Sequence, residues 1–295
     1  MFKKYPCNPI YGDAETGTLF DVFVTKRPAG DLRMDFSWRE NDTLAVAFSS
    51  DGVRWTPPRS TLSPDRSTGW EDLVNRSCVL KIGDAYQMWY TGQAHGNSCI
   101  GYAESEDGFS FRRVRREPVL VPEAPWEGES AMNPCVLYEN GVYRMWYSAG
   151  ETYEPNVLCY AQSADGIHWD KSPLNPIFER NPSEQYEQNR IGGCQIMPHK
   201  ELGYLLFYIG YRDINTACIC AACSEDGVTE FHRCKYNPLI VPTPGEWDAD
   251  SCYKPSALYD AERDLWRVWY NGRSGGTEYI GLAEKQGEFT KADFK

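Results

Sequence analysis

Apolar and polar residues alternate with period two in short runs along nearly the whole chain, and the runs are rich in aromatic and β-branched side chains. This pattern predicts half-buried strands, and the Gly, Asp and Asn residues between runs predict tight hairpins. Helical periodicity is nearly absent. The runs also recur. YQMWY (86–90), YRMWY (143–147), YLLFY (204–208) and WRVWY (266–270) place Trp89, Trp146, Phe207 and Trp269 at intervals of 57, 61 and 62 residues. A weaker copy, LRMDF (32–36), lies 54 residues earlier. Each is followed by a second motif: AVAFSSDG, IGYAESEDG, LCYAQSADG, ICAACSEDG or IGLAEKQG. Trp70-Glu71, Trp126-Glu127, Tyr186-Glu187 and Trp247-Asp248 precede the later four copies, and EPVLVP, NPIF, NPLIVP and the N-terminal NPIY close units.

Four short antiparallel strands repeated at this interval describe a propeller blade. The expected fold is therefore all-β, a five-bladed β-propeller with four antiparallel strands per blade, forming one domain over residues 1–295. Residues 2–10 are expected to complete the last blade, with Glu288–Phe294 competing for that place. In such a blade the second-to-third-strand loops and the entries into the innermost strands open on one face. The Asp-Gly turns open on the other, and Asp-Gly there supplies the positive φ of a tight hairpin.

A residue present in every copy most simply serves the scaffold, whereas a residue present in one copy needs a separate reason. Trp70, Trp126, Tyr186 and Trp247 are accordingly assigned to packing, and the acids that follow them to structural roles. Aligning the first residues of the innermost strands brings Asp21, Arg76, Asn133, a glycine near 193 and Lys254 into register, with Arg190 just before the fourth. Asp21 interrupts the apolar run TLFDVFV, and a carboxylate there is costly unless paired or functional. Arg76, Arg190 and Lys254 are expected to converge on it. Trp38 and Arg39 leave the second strand of the first repeat, where other copies read Trp-Tyr-x-Gly. A flat aromatic and a forked donor suit a sugar ring and its hydroxyls, or a carboxylate. Asp72, Glu129 and Asp250 are acids on the strand-entry loops. Glycosidic hydrolysis needs two carboxyl groups across the bond. Asp21 opposite Glu129 supplies such a pair, with Asp72 as modulator. His95 falls in a loop on the same face.

Composition narrows the classes. The 295 residues are 41% hydrophobic and 24% charged, as in ordinary globular proteins. No apolar run is long enough for a membrane helix, and the N-terminus lacks an export signal. The net charge is -12, with no basic stripe, so nucleic acid is not an expected partner. Eleven cysteines without an export signal read as reduced thiols in a cytoplasm. Cys78, Cys135 and Cys194 fall at one aligned position and are expected to fill core. Metal-ligand spacing, phosphate loops and dinucleotide fingerprints are missing, so no metal and no cofactor are expected.

The repeats MWYTG, RMWYSAG and VWYNG, the strands IGYAESEDGFSF and LCYAQSADGIHW, the WE and WD starts and the NP closers resemble those of the five-bladed propeller glycosidases. These are the arabinanase, invertase and levansucrase superfamily, with glycoside hydrolase families 43, 32 and 130. The resemblance implies a carbohydrate substrate and hydrolysis. It implies an Asp on the first strand of blade one, which Asp21 matches, an Asp in blade two and a Glu in blade three. Asp72 and Glu129 match the last two by blade and loop only, because Arg76 and Asn133 hold the strand positions. The phosphorylases of family 130 hold phosphate with basic axial residues, a role open to Arg76, Arg190 and Lys254. A binding propeller without chemistry is the third reading. The invertase-type NDPNG motif is missing, so sucrose and fructan are not the favoured substrates.

Overall fold

The computed structural model describes residues 1–295. The chain is all-β, interrupted only by short 3-10 turns. Strand pairing gives four-stranded antiparallel units, the second and third of which are joined into one eight-stranded sheet by a parallel pair, Ser98 with Ser130. The first comprises β2 (Leu19–Lys26), β3 (Leu32–Trp38), β4 (Thr43–Ser49) and β5 (Arg59–Leu62). The second comprises β6 (Leu73–Ile82), β7 (Ala85–Ala94), β8 (Asn97–Ser105) and β9 (Arg112–Arg113). The third holds β10 (Ser130–Glu139), β11 (Val142–Gly150), β12 (Pro155–Ser163) and β13 (Asp170–Lys171). The fourth holds β14 (Arg190–His199), β15 (Gly203–Asp213), β16 (Thr216–Ser224) and β17 (His232–Arg233). In the fifth, β18 (Ser251–Asp260), β19 (Leu265–Ser274) and β20 (Thr277–Gln286) are joined by β1 (Lys3–Lys4) from the chain start. The N-terminal segment thus completes the last unit, and the C-terminal Phe294 bridges Cys234 of the fourth instead. No helix is long and apolar enough to cross a membrane.

Each unit is bolted to its neighbour by repeated bonds. Trp269, Trp89 and Trp146 donate Nε1–H to the carbonyls of Gly52, Gly166 and Gly227, at the Asp-Gly turns of adjacent units. At the remaining Asp-Gly turn Arg33 donates to Gly108, its guanidinium held by Asp35, which occupies the tryptophan's place in the first unit. Between the fourth and fifth units, Phe207 has no N–H to donate and packs on Phe2, Trp266 and Phe289. The turn aspartates are structural: Asp51 Oδ1, for example, accepts the amides of Val53 and Arg54, and these bonds hold its carboxyl below the usual range.

The acids of the WE motif are equally structural. Glu71, Glu127, Glu187 and Asp248 are fully buried. Each accepts the hydroxyl of the tyrosine on its unit's second strand: Tyr90, Tyr147, Tyr208 and Tyr270. Each also meets a cation from the unit's outermost strand: Arg113, Lys171, Arg233 and Lys4.

Along the axis the innermost strands are tied to one another. Cys78 and Cys135 accept the amides of Val136 and Ile196 through sulfur, Gln195 accepts that of Ala257, and Ser256 accepts that of Val24 at 2.8 Å. Gln195, rather than Cys194, therefore stands in register with Cys78 and Cys135. The expected alignment is one residue off there, because the register of β14 against β15 places Gln195 opposite Phe207.

Candidate functional site

The innermost strands all break register at one level. Asp21, Arg76, Asn133, Gly193 and Lys254 sit in β-bulges there, with φ of 57, 55, 56, 36 and 40°. Positive φ is costly for most side chains, least so for Asp and Asn, and bulges re-aim the residues that carry it. The conformation is held by the preceding unit. The amide of Asp21 donates to Asn271 Oδ1 at 3.2 Å, that of Arg76 to Ser37, that of Asn133 to Thr91 and that of Gly193 to Ser148. The aligned quintet read from the sequence is therefore a real ring.

Above this ring lies a cavity of about 200 Å³, lined by residues of every unit. Asp21, Arg76 and Asn133 reach it from the bulges, and Tyr253 from the residue before Lys254. Arg39, Glu154, Arg273 and Glu278 reach it from the loops or strand ends between second and third strands. Buried side-chain atoms without a hydrogen-bond partner include Asp21 Oδ2, Asn133 Oδ1 and Tyr253 Oη, all on residues that line this cavity. Asp21 is 7% exposed, and its Oδ2 lies 3.8 Å from Arg76 Nε. A smaller cavity of about 110 Å³ adjoins it, shares Phe20, Arg39, Arg76 and Tyr153, and adds Trp38 and Gln93.

Glu278 is the most perturbed of these acids. Burial, and then the charge of Asp21, push its carboxyl up to about 7. Asn271 donates to it and, through Oδ1, accepts the Asp21 amide, so one amide side chain connects the two acids. Burial also raises Glu154, against the opposing hydrogen bond from Tyr211.

The remaining predicted residues are placed as follows. Trp38 is half-buried in the smaller cavity, its Nε1 donating to the Thr16 carbonyl at 2.8 Å. Arg190 lies outside the cavity and holds the Glu151 carboxylate and the Glu154 carbonyl, so it fixes the loop that presents Glu154. Lys254, 2% exposed, is not among the lining residues, and its Nζ reaches the Cys194 carbonyl at 3.4 Å. The expected convergence on Asp21 therefore holds for Arg76 alone. His95 is exposed, and with Gly96 it forms a two-residue turn with φ of 53 and 80°, as a tight hairpin demands. Asp72 is half-buried and does not line the cavity. Glu129 is exposed on the seam between the second and third units, its amide bonded to Gly150 and its carbonyl to Ser98. Strand-entry loops run along such seams, so their acids do not meet Asp21 at the axis.

Glu154 and Glu278 were not singled out by sequence reasoning. The signal was present: Glu278 is an acid near the start of a third strand where the second, third and fourth copies have Ser98, Asn156 and Ala217.

Residues 34–181 match the family model described as "Glycosyl hydrolases family 32 N-terminal domain". The chain is 28% identical over 239 residues to an uncharacterized protein of Mycobacterium tuberculosis (strain CDC 1551 / Oshkosh), covering 77% of this chain and 76% of that one. It is 26% identical over 154 residues to a 1,2-beta-oligomannan phosphorylase of Thermoanaerobacter sp. (strain X514), over 52% of this chain and 46% of the relative. Among solved structures, a thermostable family-43 glycoside hydrolase superposes with a TM-score of 0.76 at 16% identity, over 98% of this chain and 94% of that one.

Proposed function

Because the chain belongs to the family of the glycosyl hydrolases family 32 N-terminal domain, we propose that it is a single-domain, five-bladed β-propeller, four antiparallel strands per blade, that hydrolyses a glycosidic bond in a glycan or oligosaccharide at its axial cavity. The family match begins at residue 34 and ends at 181, so it assigns no role to Asp21 or Glu278. The observation that carries the reading is the convergence of Asp21 Oδ2, Asn133 Oδ1 and Tyr253 Oη, all buried and unpartnered, on one cavity that also holds Glu278. Buried polar atoms in folded proteins find partners, and exceptions concentrate where a ligand supplies them.

In this mechanism Asp21 is the base or nucleophile and Glu278 the general acid. Two carboxyl groups divide these roles when their surroundings drive their proton affinities apart. Glu278, pushed up to about 7 by burial and by Asp21, retains a proton for the leaving oxygen near neutrality. Asn271 orients both acids, Asn133 and Tyr253 bind sugar hydroxyls, and Arg190 positions Glu154 from outside. Cysteines that serve as packed amide acceptors along the axis support a reducing, cytoplasmic setting.

Three guanidinium groups, of Arg39, Arg76 and Arg273, line the same cavity. They favour a second reading, phosphorolysis, in which phosphate replaces water. A glycan-cleavage screen run with and without inorganic phosphate tests both. Reducing sugar released without phosphate supports hydrolysis, a phosphate-dependent sugar 1-phosphate replaces it with phosphorolysis, and binding without products leaves a binding propeller.

A further inference from the structure

The two adjoining cavities share a wall that includes Arg39 and Arg76. Elsewhere the buried acids have close cations: Arg33 meets Asp35 at 2.6 Å, Arg113 meets Glu71 at 2.6 Å and Arg233 meets Glu187 at 2.8 Å. At this wall the pattern fails. Arg39 is exposed to solvent where it lines the cavities, its guanidinium carbon 4.7 Å from the Phe20 ring centre, and it makes no side-chain hydrogen bond or ion pair to a protein group. Arg76 gives its terminal nitrogens to neutral acceptors, Asn75 Oδ1 at 2.7 Å and the Tyr153 carbonyl at 3.4 Å, with Asp21 only at 3.8 Å. The backbone under both is fixed. Arg39 opens a 3-10 turn whose amide donates to the Thr18 carbonyl, and Arg76 occupies a bulge.

We propose that this wall is a carboxylate subsite, and that the glycan processed here carries a uronosyl residue whose carboxylate sits between Arg39 and Arg76. This rests on the glycosidase reading and deepens it by naming the substrate class. A guanidinium presents a planar fork of donors that matches a carboxylate, and stacking on Phe20 holds the fork of Arg39 in place. Trp38 in the smaller cavity offers a flat apolar surface beside it for the sugar ring. Charge selects the kind of anion. With Glu278 protonated, the carboxylates of Asp21 and Glu154 offset two of the three guanidinium charges of Arg39, Arg76 and Arg273 in the larger cavity, leaving a net charge that a monoanion balances and a dianion exceeds. A uronate carboxylate therefore suits the wall better than a phosphate dianion.

The test is binding, so that it does not depend on turnover. Glucuronate, galacturonate and mannuronate are titrated calorimetrically into the full-length protein, each beside its neutral parent hexose, with inorganic phosphate as a separate arm. At least one uronate is expected to bind about tenfold more tightly than its parent. Arg39→Met is expected to erase that preference while leaving the melting temperature unchanged, and Arg39→Lys to restore it in part. The proposal is overturned if no uronate outbinds its parent, if Arg39→Met leaves the preference intact, or if phosphate binds more tightly than every uronate. Uronate binding without cleavage of any uronosyl glycan overturns the glycosidase reading and leaves the subsite standing. Cleavage of neutral glycans with indifference to uronates does the reverse.

Discussion

Buried carboxylates occur in two settings in this molecule. Glu71, Glu127, Glu187 and Asp248 recur once in each of the later four units, and each is saturated by a tyrosine hydroxyl and a cation. Asp21 and Glu278 each occur in one unit, line the axial cavity and have no ion pair shorter than 3.8 Å. Asp21 is also buried, Glu278 is half-buried at the cavity and the chemistry of all six is that of a carboxylate, so side-chain type does not separate structure from function. What separates them is whether the fold itself supplies the partners. A carboxylate matched by its own scaffold contributes to folding, and one left unmatched in a cavity is available to a ligand.

The sharpest way to break this comparison is to neutralise one acid of each kind. Asp21→Asn is expected to lower kcat/KM by about a thousandfold or more while leaving the denaturation midpoint nearly unchanged. Glu187→Gln strands Arg233, which donates to both of its carboxylate oxygens, and should cost about 3 kcal/mol in urea unfolding. Turnover per folded molecule should then be preserved. Equal loss of stability in both variants would place Asp21 in the scaffold.

A second measurement addresses Glu278 through pH. As the general acid it must be protonated, so activity should fall as pH rises through about 7. Glu278→Gln should lower kcat by about a hundredfold and remove that alkaline limb. Stability carries the same signature. A carboxyl raised from 4.5 to about 7 on folding binds its proton more tightly in the native state. Its contribution is complete below 4.5 and is lost as pH rises through about 7, and Glu278→Gln should flatten the unfolding midpoint across that interval. An unchanged alkaline limb in the variant would remove Glu278 from the acid's role.

The scaffold was far more legible in the sequence than the site. Scaffold residues repeat, so four or five copies vote on each position, and the ring containing Asp21, Arg76 and Asn133 could be aligned before any geometry was known. Even there a single misstep occurred, at Cys194, because a residue's place across a bulge is decided by pairing and not by spacing. Site residues do not repeat, so nothing votes. Glu129 and Asp72 were drawn in by blade and loop, but a position on a loop does not say whether the side chain reaches the axis. Glu278 occupies a strand start whose distance from Asp21 becomes short only because the last unit packs against the first. That contact spans nearly the whole chain and leaves no local trace.

Smaller effects test the latches between units. Trp89 donates from the second unit to Gly166 of the third at 2.8 Å. Trp89→Phe removes one buried hydrogen bond and some packing, and about 1–2 kcal/mol of stability should be lost. Phe207, the natural phenylalanine at this position, lies instead in an aromatic cluster with Phe2, Trp266 and Phe289. Phe2→Ala should therefore destabilise the fourth-to-fifth junction by about 3 kcal/mol, more than loss of a latch elsewhere. If Trp89→Phe proved the costlier change, the latch rather than aromatic packing would be the stronger fastening.

The smallest expected effect belongs to Glu129, and it bears directly on how the site is composed. Its backbone is tied into the seam at Gly150 and Ser98, while its side chain is exposed and forms no ion pair. Glu129→Gln keeps the shape and the backbone bonds and deletes only a solvated charge. Stability should stay within about 0.5 kcal/mol, and kcat/KM should change by less than about twofold, read on the same glycan used for Asp21→Asn. A loss approaching that of Asp21→Asn would return the general acid to the third unit. It would also require the strand-entry loop to swing toward the axis when substrate binds, because in this structure Glu129 does not line the cavity that holds Asp21.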